Sequence, residues 1–184
     1  MNQIFAFTYV DNSNFFIEGQ RIAGIEATMI EATMAENLHD AIARRILDYS
    51  WKPDYKKLRE LICGEGKQIG SAKLWGSMIP ARTSRAMEES GFAVITYPRS
   101  HGKEKKVDVA IAYEIARDLP KIAKENSEIV IVSGDKDFVP VIDDLVRGGH
   151  KVCVAFWEHA AMEMKQKASS FFSLNPYSRH LRLW

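Results

Sequence analysis

The chain has 184 residues, a length that one domain ordinarily takes and that can bury a sizeable core without disulfide or metal staples. Hydrophobic residues make up 46% and charged residues 27% with no low-complexity tract, which excludes a disordered or fibrous chain. Twenty-five basic residues against 24 acidic ones leave a formal charge of +1, so bulk electrostatics select neither nucleic acid nor an acidic surface as partner, and any such argument rests on local patches.

Cys63 and Cys153 stand far apart. They lack the Cys-x-x-Cys spacing of a zinc site and do not make a disulfide framework, so a reducing cytoplasm is the expected compartment. The first ten residues are apolar but lack a basic start and a small-residue cleavage site. No run approaches the ~18 apolar residues of a membrane span, and no membrane association is expected.

Residues 4–10, Ile-Phe-Ala-Phe-Thr-Tyr-Val, favour a strand, and Asp11-Asn12-Ser13-Asn14 reads as a polar loop that ends it. Residues 19–37 contain the near-repeat Ile25-Glu-Ala-Thr-Met and Ile30-Glu-Ala-Thr-Met, whose period matches neither helix nor strand. That stretch reads as a partly helical insertion. Leu38, Ala41, Ile42, Ile46 and Tyr49 recur at helical spacing behind Asn37, and Tyr55, Leu58, Leu61 and Ile62 do so behind Pro53, ending near Gly64.

Residues 71–79 and 92–97 read as strands around a helix over 82–90 that Gly91 terminates. Val107, Ile111 and Ile115 mark a helix over 107–118. The all-apolar run 129–132 suits a strand buried on both faces. A helix over 139–147 stops at Gly148-Gly149, a strand occupies 151–156, and a last helix lies near 158–168. Alternating strands and helices predict an α/β class, with a mainly parallel central sheet flanked by helices, in one domain with its core over about residues 4–156. The aromatic, basic tail 169–184 has no assignable structure and is expected to pack on the core or on a second subunit.

Ligands of an open parallel sheet bind beyond the carboxyl ends of its strands. Asp11 follows the first strand, Asp135 and Asp137 follow the 129–132 strand within Ser133-Gly134-Asp135-Lys136-Asp137-Phe138, and Asp108 opens the helix before that strand. Taken singly, each is a favoured helix cap, stabilising by roughly 0.5–2 kcal/mol. Gathered, three repelling pairs at 4 Å would cost about 12 kcal/mol at an effective dielectric near 20, comparable to the ~5–15 kcal/mol stability of a domain. Clustering therefore demands a cation. Oxygen ligands without nearby Cys or paired His select Mg²⁺ or Mn²⁺ over zinc. Such ions activate water and stabilise charge on a phosphoryl oxygen, which narrows the chemistry to hydrolysis at phosphorus.

Val10-Asp11-Asn12-Ser13-Asn14, Lys106-Val107-Asp108-Val109 and Ser133-Gly134-Asp135-Lys136-Asp137-Phe138 ahead of Gly149-His150-Lys151-Val152 resemble, in order and spacing, the NYN domain family of PIN-like nucleases over about residues 4–156. The resemblance implies a Rossmann-like PIN fold, Mg²⁺- or Mn²⁺-dependent cleavage of RNA, and metal-binding acids at Asp11, Asp108, Asp135 and Asp137. It places Asn14 where an acid or a substrate phosphate is oriented. There are departures: Glu114 stands where the family often has Asp, Thr8 and Tyr9 are unusually polar for the first strand, and residues 19–37 look inserted.

Arg99, His101, Lys103, Lys105 and Lys106 lead into Asp108, equally a phosphate-binding loop for single-stranded RNA or a solvated one. Arg82 and Arg85 follow a strand and read as phosphate contacts or as ordinary surface charges. Lys136 stands between two candidate ligands, and Ser133 is placed to hydrogen-bond either acid or its own loop. The five histidines show no metal-ligand spacing, and Asp143 and Asp144 read as an outer helix face. Two other functions compete. One is a nucleic-acid-binding or scaffold protein that keeps this fold with little turnover. The other is a small-molecule phosphatase with an Asp nucleophile, which Ser13 disfavours because an acid is usual two residues after the first Asp. A homodimer is expected only from the general frequency of symmetric pairs.

Overall fold

The computed structural model describes residues 3–32, 47–64, 66–97 and 107–184. Its elements are β1 (Ile4–Asp11), α1 (Asn12–Ala32), α2 (Tyr55–Cys63), β2 (Lys67–Ser77), α3 (Ala81–Glu89), β3 (Ala93–Tyr97), α4 (Val107–Asp118), β4 (Ser127–Val132), α5 (Val139–Arg147), β5 (Lys151–Phe156), α6 (Met162–Lys167) and β6 (Ser170–Ser173). Short 3-10 turns lie at Leu119–Lys121, Lys136–Phe138 and Asn175–Tyr177. None of the described helices is long and apolar enough to cross a membrane.

The six strands among the described residues all run parallel, in the order β3-β2-β1-β4-β5-β6. The chain winds outward from β1 to β3, returns through α4 to lay β4 beside β1, and winds outward again to β6. The strand order therefore reverses between β1 and β4, the place where an open α/β sheet opens a crevice at its carboxyl edge. Ile129, Val130, Ile131 and Val132 are each at most 1% exposed, as expected of a central strand covered on both faces.

The polar residues of β1 have partners that explain their presence in a core strand. The Tyr9 hydroxyl donates to Asp118 Oδ2 at 2.9 Å, and Thr8 Oγ1 lies 4.0 Å from Cys63 Sγ. Side chains alternate along a strand. Tyr9, stacked on Trp75 with its hydroxyl on Asp118, thus faces α4, whereas a Cβ on the adjoining Gly76 would lie 3.5 Å from Asn12 of α1. Helices α1 and α4 cover opposite faces.

The structure revises several local expectations. Asn12, Ser13 and Asn14 are the first turn of α1, not a loop. Residues 19–32 continue this helix without a break, so the part of the expected insertion that is described is helical and joined to β1 directly; residues 33–37 lie outside the described residues. Gly19 allows the approach of α1 to Trp51, because a Cβ there would fall 2.4 Å from the indole. Phe15, Trp51 and Trp157 pack around that contact with ring centroids 5.7–5.9 Å apart. The helix expected from Leu38 lies mostly outside the described residues, and Tyr49 is in a turn and 75% exposed.

Strand β2 begins at Lys67, ahead of the expected start, and α6 is shorter than expected. The tail is ordered on the core of its own chain. Ser170–Ser173 adds the sixth strand beside β5, Leu174 and Leu181 are fully buried, and Arg182 bridges to Pro53.

Candidate active site

The carboxyl ends of β1 and β4 are joined by a relay of hydrogen bonds. Asp11 ends β1, 9% exposed, and its Oδ1 accepts the N–H of Asn14 at 3.1 Å, the bond of a helix N-cap. Asn14 Oδ1 accepts from the N–H of Gly134 at 2.8 Å and from Ser133 Oγ at 3.3 Å. Ser133 Oγ accepts the N–H of Asp135 at 3.3 Å, and Asp135 Oδ1 accepts the N–H of Asp137 at 3.0 Å. Adjacency of the strands thus carries Asp11 and the 133–137 loop to one edge, and Asn14 ties them together. The capping role that any Asp can play falls to Asp11 and Asp135.

Gly134 is required by packing. A Cβ there would lie 2.3 Å from the ring of Phe156, itself 1% exposed. Its carbonyl accepts the Ala161 N–H at 3.4 Å, drawing the loop after β5 to the same edge.

Asp108 lies in the first turn of α4, partly exposed, and that helix packs on β1, β2 and the Lys136–Phe138 turn. Since α4 descends from the top of β3 to the bottom of β4, its first turn belongs to the carboxyl edge. Lys73 of β2 fixes the helix, with Nζ 2.7 Å from Glu114 and 2.6 Å from Asp118. Asp118 is 3% exposed and also accepts from Tyr9 and Lys121. Burial alone would raise the Asp118 pKa, but the bonds from Lys73, Tyr9 and Lys121 prevail and hold the carboxyl below the usual range. Tyr9 is pushed up, by burial first and then by Asp118. Lys73 is raised, because the two carboxylates outweigh its desolvation. Glu114, ion-paired to Lys73 and to Arg117 at 3.0 Å, serves this clamp. The residue that stands where the family often has Asp is thus engaged by cations of the chain itself.

Lys136 and Asp137 are exposed beside this edge, and Arg82 and Arg85 are exposed on α3, which opens shortly after β2. Arg99, His101, Lys103, Lys105 and Lys106 lie outside the described residues. Asp143 pairs with Lys167 and Arg147 on α5, away from the edge.

Among the described residues no group of three or more His, Cys, Asp or Glu side chains is placed to hold a metal ion. The donors at the edge are nevertheless carboxylates and one amide, the chemistry of a hard divalent cation. Mg²⁺ commonly keeps several waters and takes only one or two protein carboxylates with substrate phosphates. The residues present fit that mode of binding and not a closed protein cage.

One pair at this edge escaped the sequence reading. Glu18 lies four residues beyond Asn14, hence on the same face of α1 one turn on. Its Oε2 is 2.6 Å from His159 Nε2 in the loop after β5, and Arg21 grips both carboxylate oxygens. Burial would raise the Glu18 pKa, but His159 and Arg21 together lower it. The partners are 141 residues apart and share no local motif, so no spacing rule reveals them.

The NYN domain family model matches residues 10–175, a span that extends through β6. Among solved structures, the chain is similar to a protein of unknown function from Vibrio parahaemolyticus, with 20% identity and a TM-score of 0.62 over 94% of this chain and 93% of that one. At such identity the likeness speaks to fold alone. PatG macrocyclase in complex with peptide matches with 12% identity and a TM-score of 0.27 over 84% of this chain and 50% of that one, too slight to carry an argument. No match was found among curated proteins.

Proposed function

The chain belongs to the NYN domain family, whose domains are generally nucleases, and from that premise we propose that it is a Mg²⁺- or Mn²⁺-dependent ribonuclease cleaving single-stranded RNA at Asp11, Asp108, Asp135 and Asp137. The observation that carries the reading is the joining, through Asn14, of Asp11 to the loop bearing Asp135 and Asp137 where the strand order reverses. Asp11 and Asp135 would hold the cation most directly, with Asp108 and Asp137 contributing from the helix and the turn that pack beside them. A bound cation supplies charge stabilisation at a phosphoryl oxygen and a more acidic water.

The remaining work falls to the chain's own groups. The Asn14 N–H holds one oxygen of Asp11, and the Asp137 N–H holds one oxygen of Asp135. Each carboxylate is thereby kept from rotating before substrate arrives, the preorganisation that makes a charged site effective. Ser133 fixes the Asp135 backbone. Lys136, exposed between the two acids, would meet a phosphate, and Arg82 and Arg85, exposed on α3, would contact an RNA backbone.

The test is incubation of the protein and an Asp135→Asn variant with single-stranded and structured RNAs in Mn²⁺, Mg²⁺ or EDTA. Cleavage that needs the metal and is lost in the variant is the expected result. Metal-dependent RNA binding without cleavage of any substrate would replace this reading by a binding or scaffold role.

A further inference from the structure

Buried polar groups are nearly always hydrogen-bonded, and one that is not calls for a ligand, a water or a function. Among the described residues four buried side-chain atoms have no partner: Arg59 Nε, Ser71 Oγ, Ser77 Oγ and His150 Nδ1. Arg59 lies against Gly91, ahead of β3, and His150 precedes β5, so both belong to the amino edge of the sheet, while Ser71 is in mid-strand. Ser77 alone among them is the last residue of a strand at the carboxyl edge.

The register places it closely. Lys73, Trp75 and Ser77 share one face of β2 by alternation, and Lys73 on that face reaches Glu114 and Asp118 of α4. From Lys73 to Ser77 the strand climbs about 13 Å. The helix climbs about 9 Å from Glu114 to Asp108, and about 15 Å from Asp118 to Asp108. Ser77 and Asp108 therefore stand at the same height, one on the sheet and one on the helix covering it. Asp11, on the neighbouring strand, pairs with Trp75, two residues below Ser77. Immediately after Ser77 the backbone enters the left-handed region at Met78, φ 50°, a side chain 65% exposed. Such strain is kept where the surroundings impose it and is frequent at functional sites.

We propose that Ser77 is a further substrate-binding residue, its hydroxyl donating a hydrogen bond to a non-bridging oxygen of a nucleic-acid phosphate held beside Asp11 and Asp108. The inference rests on the nuclease reading. Although the oxygen is buried, the residue as a whole is partly exposed. No hydrogen bond to a described residue holds the hydroxyl, so χ1 is free to step to another staggered well when a phosphate oxygen arrives.

The experiment is RNA binding by fluorescence anisotropy in an Asp135→Asn background, which keeps the oligonucleotide intact, with Ser77→Ala and Ser77→Thr added separately. Loss of one hydrogen bond to a charged oxygen should weaken binding about tenfold or more in Ser77→Ala. Ser77→Thr, which retains the hydroxyl, should stay near the parent. The Tm of Ser77→Ala without RNA should be equal to or above the parent's, since the change removes a polar group that has no partner in the free protein. Affinity within twofold of the parent in Ser77→Ala would overturn the role of Ser77 and leave the nuclease reading standing. So would equal loss in Ala and Thr variants, or a Tm that falls with the affinity. A parent chain that neither binds nor cleaves RNA would overturn both.

Discussion

Replacing Lys73 by Met tests whether the position of α4, and with it Asp108, depends on the clamp beneath. The change leaves Glu114 and Asp118 without their shared cation. Removing one partner of a buried pair costs about 3–5 kcal/mol, because the other charge stays buried. Here the loss is smaller. Lys73 and Glu114 side chains are 19% and 22% exposed, and Asp118 keeps the Tyr9 hydroxyl at 2.9 Å and Lys121 at 3.2 Å. About 2–3 kcal/mol is expected, which for a chain of this size lowers Tm by roughly 5–10 °C. Lys73→Arg, which keeps the charge, should recover most of it.

The pH dependence has a definite sign. The Asp118 pKa is lowered on folding, so its contribution is present above the ordinary carboxyl value and is lost as pH falls through the folded one. The Lys73 pKa is raised, so its contribution is present below the ordinary lysine value and is lost as pH rises through the folded one. Thermal melts of parent and Lys73→Met should therefore differ most near neutral pH and converge in acid. A difference under about 1 °C at pH 7, or one that persists undiminished in strong acid, would refute the reasoning.

Gly134→Ala should cost about 1–3 kcal/mol by overpacking against Phe156, and it should lower RNA cleavage at temperatures where the variant is fully folded, because the displaced loop carries Asp135; urea melts paired with cleavage rates check both. Glu18→Gln should remove about 1 kcal/mol near neutral pH. Since folding lowers the Glu18 pKa from its ordinary value, the stability it provides is present above that value and is lost as pH falls through the folded one, so parent and variant melts should converge in acid.

Helix α4, helix α5 and strand β5 begin and end where the residues alone place them. Helix α5 shows why: its apolar pattern is bounded by a local stop, Gly148-Gly149. The α/β class with a parallel sheet follows from the same alternation. Asp11 to Asn14 shows where such reading ends. Their side chains are turn formers, yet the bond from the Asn14 N–H to Asp11 makes them a capped helix start. Likewise Ser170–Ser173 is too short to announce a strand, and it becomes one only because β5 offers an edge.

The sequence by itself determined that Asp11 and the 133–137 loop each follow a strand, because hydrophobic pattern and turn chemistry are local properties. Only the tertiary structure decided that β1 and β4 are neighbours and that Asn14 binds Gly134 across 120 residues. It also decided that Lys73 takes Glu114 for a helix clamp and that Glu18 finds His159. These partners are set by strand order and helix placement, which depend on burial summed over the whole core, and no short spacing carries that sum.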